Sequence, residues 1–323
     1  MTPSFVTFSL IAVYSAMAVY TLAFIAFTVD LAKRSAVSPV ASSGIAVEVA
    51  ATKTSAAGRA TALLERVVTE EPLAVGRSRA LTAAMALTTI GWVLHASAAL
   101  LRGLAAGRVP WANMFEFSLT ATAIIVGVFL AVQFWQDLRF LGAFIVGFAL
   151  ILLGLASVNF YVDVIPLPDA LQSAWLVIHV FVAILGTSFF ALGAGLSVTQ
   201  LLQARREAGR GGPGFLATLP SAEKLENLAY RVILIGFVFW TFTLIAGAVW
   251  AERAWGRYWG WDTKEVWTFI IWTIFAGYIH ARATRGWRGS RSAVLAIVGF
   301  SAVMFNFTVV NLFFKGLHAY SGL

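Results

Sequence analysis

The sequence contains no cysteine. That excludes a disulfide, a thiolate metal site, a thiol redox step and covalent haem attachment to this chain itself. Charge is scarce as well, at 12% against 60% hydrophobic residues, far from the roughly one-quarter charged balance of soluble domains. A soluble globule is therefore excluded. There is no Walker loop, no HExxH and no internal repeat. The segment Gly209-Arg210-Gly211-Gly212-Pro213-Gly214 matches GxGxxG formally, but no strand precedes it and a proline interrupts it. Nucleotide chemistry has no seat here.

Long apolar runs are what the chain has instead. Eight windows reach the roughly 20 residues needed to cross a bilayer core: 4–30, 82–104, 114–134, 140–158, 171–203, 231–250, 266–283 and 292–314. They are continuous, not alternating, so they predict helices, which satisfy their own backbone groups in lipid. The expected fold is all-α, a polytopic integral membrane protein of about eight transmembrane helices. Residues 1–30 read as a retained anchor, 31–80 as a cytoplasmic linker that becomes helical after Ser78, and 81–323 as the main membrane domain.

The net charge of +8 is a topology signal and does not point to nucleic acid. All but six of the 23 Lys and Arg fall in segments that would lie on one side. The positive-inside rule makes that side cytoplasmic. Both termini and the loops 105–113, 159–170 and 251–265 are then extracytoplasmic.

Five of the 12 tryptophans crowd the loop between spans six and seven: Trp250, Trp255, Trp259, Trp261 and Trp267. Trp250 and Trp267 border the spans and fit an aromatic belt at headgroup level equally well. Trp255, Tyr258 and Trp259 would share one face of a helical turn, with Trp261 beyond a glycine. Arg253, Arg257 and Lys264 are interleaved with them. Aromatic faces beside fixed positive charge suit a flat aromatic anion such as a porphyrin. Asp262 and Glu265 also fit a D-x-x-E cap for span seven, and the two roles are compatible. Asn113 and Glu116 fit the same kind of cap for span three.

The four histidines are His95, His179, His280 and His318. Any one of them could be an ordinary hydrogen-bonded residue. On the derived topology, however, His179 and His318 flank the Trp-rich loop, whereas His95 and His280 lie inside spans, where ionisable groups are costly. Imidazole is a good ligand for haem iron, so four histidines allow two bis-histidine sites. Each stands on a different element, which favours two sites used in sequence over a fixed electron wire. A metal transporter would add carboxylates within its spans, and the only one placed near a span interior is Glu116, at the start of span three.

The motif Trp255-Gly-x-x-Trp259-x-Trp261-Asp262-x-Lys264-Glu265 resembles the signature of the CcsA proteins of cytochrome c biogenesis, called CcsB or ResC in some bacteria, of the haem-handling WWD superfamily. Pro110-x-x-Asn113-x-x-Glu116, the terminal Gly316-Leu317-His318-Ala319-Tyr320 and the order of the histidines agree with it. The resemblance covers spans two to eight, with the WWD loop at 250–267. It implies transport of haem b across the membrane and its presentation for attachment to the CxxCH of an apocytochrome c. His179 and His318 would be the axial pair of the outer site, beside Trp255, Arg257, Tyr258, Trp259, Trp261 and Asp262, while His95 and His280 would be the inner pair. A ResB-like membrane subunit would complete a thioether-forming synthase, or haem lyase, that needs no nucleotide. The alternatives are a haem exporter or chaperone without synthase activity and a dihaem electron-transfer cytochrome.

Overall fold

The computed structural model describes residues 2–37, 78–166, 171–284, 286–314 and 316–318. Most of the expected linker, Arg285, Lys315 and the terminal residues from Ala319 onward lie outside the described residues. Eight helices make up the described chain, with no strand among them: α1 (Thr2–Val37), α2 (Arg79–Ala106), α3 (Met114–Val132), α4 (Gly142–Asn159), α5 (Ala174–Glu207), α6 (Ala222–Trp255), α7 (Thr263–Thr284) and α8 (Ser290–Phe305). A π turn, Asn306–Val310, and a last short turn, Asn311–Phe313, prolong α8. Seven stretches are long and apolar enough to cross a bilayer. The eighth, α7, has 22 residues, about 33 Å at 1.5 Å per residue, and carries its charges at its two ends. The protein is an all-α polytopic membrane protein.

Several helices outrun their apolar windows because polar residues hold the extra turns. Helix α1 continues past the expected end at residue 30 because Arg34 pairs with Asp30 one turn earlier at 2.7 Å. Beyond that, the Ser35 hydroxyl accepts from Phe215 N–H at 3.0 Å. Helix α6 begins at Ala222 and not near 231. The Ser221 side chain caps it by accepting from Lys224 N–H, and Leu225 and Leu228 bury its first turns in the core. Hydropathy marks only the lipid-facing part of such a rod.

Two long antiparallel pairs, α1 with α2 and α5 with α6, form the sides of the bundle. Between α5 and α6 the crossing point is Gly186 against Gly236, where an added Cβ on Gly186 would stand 3.3 Å from the Gly236 carbonyl oxygen. Small residues permit such close approach in membranes, where dispersion and not hydrophobicity drives helix association. Helices α3 and α4 bridge the pairs, and α8 lies along α5 and α7. The alternation gathers Trp111, Leu171, Trp250 and His318 at one end, the histidine end. Arg34, Arg139 and Lys224 collect at the other, the basic end.

Candidate functional site

The Trp-rich segment is not one helical face. Helix α6 stops at Trp255 because Gly256 takes a left-handed φ of 68° and turns its N–H back to the Glu252 carbonyl, the ordinary glycine C-cap. Residues 257–262 then run as an irregular loop. Tyr258 and Trp261 point outward, 63% and 75% exposed, while Trp255 and Trp259 are half-buried. Trp261 has φ 59°, the one non-glycine in that region among the described residues. A backbone conformation of this kind costs of order 1 kcal/mol. The cap that follows holds it in place. Asp262 accepts from Lys264 N–H at 3.0 Å, and Glu265 reaches back to the N–H groups of Asp262 and Gly260 at 3.0 and 2.8 Å. The D-x-x-E cap is therefore present.

Asp262 also has a second task. Its carboxylate accepts from Leu317 N–H at 2.8 Å and from His318 Nδ1 at 3.2 Å. The His318 imidazole, helped by the N–H groups of Lys264 and Leu317, holds the Asp262 carboxyl down to about 2 against the opposing effect of burial. One carboxylate thus starts α7 and ties down the C-terminal tail.

His179, on α5, donates from Nδ1 to the Thr243 carbonyl of α6 at 3.0 Å. It reaches that carbonyl because the residue one turn on is Gly247, where an added Cβ would stand 2.7 Å from the imidazole. His179 stacks on Trp250 at 5.7 Å and 20°. His318 meets the same indole edge-on at 5.3 Å, and Trp255 at 4.7 Å. Trp250, 2% exposed, is therefore no belt residue but the common support of two imidazoles. Trp267 packs on Phe305 at 4.3 Å. Both His179 and His318 line a cavity of about 680 Å³ on the α3 side and a second of about 450 Å³ on the side of the Trp-rich loop. A carbonyl and a carboxylate only accept, so each Nδ1 carries a proton, and in the neutral imidazole the lone pair is then on Nε2. That is how metal-binding histidines are usually oriented.

The cations are distributed unevenly. Arg253 is exposed. Arg257 turns to Glu265 at 3.4 Å and lies over the Trp255 ring at 5.9 Å. Lys264 alone of the three faces the interior, lining both cavities and a third of about 840 Å³ that runs inward between α3, α5 and α8. Three buried polar atoms on these walls have no partner among the described residues: Trp259 Nε1, Asn113 Nδ2 and Asn306 Oδ1. Buried polar groups are seldom left so. Asn306 opens the π turn, a device frequent at functional sites, and Lys264 Nζ donates to its backbone carbonyl at 3.3 Å.

Asn113 caps α3 through Glu116 N–H at 2.9 Å. Glu116 itself does more than capping requires. Fully buried, it accepts from Arg102 at 3.1 Å, Arg108 at 2.6 Å and Ala112 N–H at 3.1 Å. The two arginines reach on to the carbonyls of Val162 and Ile165. This cluster fixes the turn that carries Trp111 and Asn113 into the cavity wall.

The other two histidines are not brought together. His95 is fully buried, with Nε2 at 2.8 Å from the Leu119 carbonyl and Nδ1 at 3.4 Å from the Tyr20 hydroxyl. His280 stands on an exposed face of α7. Helix α2, which carries His95, packs on α1 and α3, and α7 packs on α6 and α8.

Residues 111–318 match the family described as cytochrome C assembly protein. The cytochrome c biogenesis protein CcsA of Trieres chinensis is 34% identical over 252 residues, covering 69% of this chain and 81% of that protein. CcsA of Synechococcus elongatus is 35% identical over 263 residues, 68% and 81% of the two chains. Among solved structures, cytochrome c heme lyase CcmF superposes with a TM-score of 0.61 at 16% identity, covering 94% of this chain. That likeness is one of fold, and the chain spans 46% of the length of that structure. The chain belongs to the cytochrome c assembly protein family, within its CcsA branch.

Proposed function

We propose that this protein acts in cytochrome c maturation, holding haem b as its substrate at the histidine end and offering it to the CxxCH segment of an apocytochrome c. The observation that carries this reading is the shared Trp250 indole. It supports His179 from α5 and His318 from the C-terminal tail on one cavity, with both Nδ1 protons spent on fixed acceptors. The Trp259 indole N–H, without a partner among the described residues, and the aromatic walls fit a large flat substrate with polar edges. The free Nε2 lone pairs fit its iron.

In this reading the histidine of the incoming segment displaces one of the pair. Each thiol then adds across a vinyl group: the S–H bond breaks, and a C–S and a C–H bond form, with no net oxidation. The chain's own residues orient the substrate. A ResB-like membrane subunit supplies the receiving surface. His95 and His280 serve as an earlier station within the membrane, and His95 must release the Leu119 carbonyl or the Tyr20 hydroxyl to do so. The basic end is cytoplasmic and the histidine end faces the outside of the plasma membrane. Residues 81–323 form the haem-handling unit.

The test is purification with and without the ResB-like subunit, with absorption spectra and a covalent-haem stain of a co-expressed CxxCH protein. Bound haem together with stained product is expected. A colourless protein in both cases overturns the reading, and bound haem without product makes the chain a carrier.

Two further outcomes are expected. Gly247→Ala should displace the His179 ring from Thr243 and lower haem occupancy about tenfold, as loss of an orienting partner of a metal ligand does, with protein yield unchanged; the haem-to-protein ratio measures it. A reporter that is active only outside the cytoplasm, fused after Leu323, should be active, and an inactive fusion would invert the assigned orientation.

A further inference from the structure

Lys264 stands apart from other buried and part-buried cations of the bundle. Arg102 and Arg108 share Glu116, Arg282 has Glu226 at 2.7 Å, and Arg34 has Asp30. Among the described residues no carboxylate lies within ion-pair distance of the Lys264 ammonium. Its neighbour Asp262 is committed to His318, Leu317 and the backbone of Lys264. Of the three N–H donors on Lys264 Nζ, one goes to the Asn306 carbonyl. A cation inside a membrane bundle is costly unless paired. This one lines all three cavities around the histidine pair.

On the wall of the cavity of about 680 Å³, Asn113 makes a second, independent demand. It is 4% exposed, its Oδ1 is used by the α3 cap, and its Nδ2 is a donor with no partner among the described residues. A cation and an amide donor lining one cavity beside two imidazoles match an anionic oxygen, not another donor.

We infer that Lys264 and Asn113 form the carboxylate-recognition pole of the site, with Lys264 supplying the charge that pairs with a propionate of the bound tetrapyrrole and Asn113 Nδ2 a neutral hydrogen bond. The inference rests on the haem reading above and adds to it which residues set the substrate's rotation about the axis through the iron. Arg257, whose guanidinium is spent on Glu265, is then a loop brace.

The experiment compares haem with haem dimethyl ester, which keeps the iron and vinyl groups but lacks both carboxylates. Each is titrated into the purified full-length protein and followed by its absorption band. The wild type should bind haem about tenfold more tightly than the ester, the value of a hydrogen bond to a charged group. Lys264→Met should bring the ratio close to one with the band position unchanged, and Lys264→Arg should keep most of it. If Lys264→Met fails to accumulate, Asn113→Asp takes its place. It preserves the α3 cap, since Asp caps as well as Asn, while setting a like charge against the carboxylate, so haem should weaken more than its ester. A wild-type ratio of one, or a ratio that survives these changes, overturns the inference and leaves the haem reading standing. Failure of the wild type to bind either pigment overturns both.

Discussion

Replacing His318 or His179 with alanine should lower holocytochrome yield by about 100-fold while the protein still inserts and accumulates. Loss of a ligand should exceed loss of its orienting partner, which costs roughly 10- to 100-fold. Neither side chain carries the fold: His318 follows the last turn, and His179 bonds only one carbonyl. Added imidazole should restore part of the yield by filling the vacated position beside Trp250. Asp262→Asn should sit between the alanine variants and the wild type, because Asn still caps α7 but is a weaker acceptor for His318 Nδ1. Covalent-haem staining of a co-expressed CxxCH protein, normalised to membrane protein by blot, reads all three. Unchanged yield in both alanine variants would remove the pair as ligands.

Replacing Glu116 with leucine should have an equally large effect of a different kind. Arg102 is 1% exposed, and removal of its partner leaves an uncompensated buried charge, which costs about 3–5 kcal/mol. For a chain of this size that corresponds to a fall of roughly 10 °C in melting temperature, measurable in detergent by loss of monodisperse protein on heating. The double change Arg102→Met with Glu116→Leu should recover much of the loss, because a well-packed apolar pair can replace a buried ion pair. A melting temperature unaffected by Glu116→Leu would show that the cluster is not what holds the 159–166 segment to α2 and α3.

The sequence announced the spans, the two capping motifs and the histidines that flank the Trp-rich loop, because each rests on local chemistry. Hydropathy reads lipid exposure, capping reads the first helical turn, and an ionisable residue in an apolar run is conspicuous on its own. The roles of particular side chains were less legible, since those depend on which way a loop turns. Trp250 borders a span and fitted a headgroup anchor as well as a binding wall, and only the packing of His179 and His318 on its indole decides between them. Arg253, Arg257 and Lys264 offered the same positive charge in the sequence, but Glu265 pairs with Arg257 and Lys264 faces inward. Asn306 and Asn311, two amides near the end of the last apolar run, were the available signal for the π turn and for a carboxamide oxygen without a partner among the described residues. The double duty of Glu116 had no signal, because nothing local distinguishes a cap carboxylate from one that also holds two arginines.

The wide turn at Asn306–Val310 has a geometric consequence for everything that follows it. An α-helix advances about 100° per residue, and a turn that accommodates one residue more shifts the azimuth of all later residues by about that amount. If the same residues wound there as a regular ladder, the tail would swing to a new bearing and carry residue 318 away from its indole, whereas removal of one residue together with the wide turn would leave that bearing unchanged. The last rod of the bundle therefore serves as a phase adjuster, and the winding of this one turn is as much a part of the site as the imidazole it delivers.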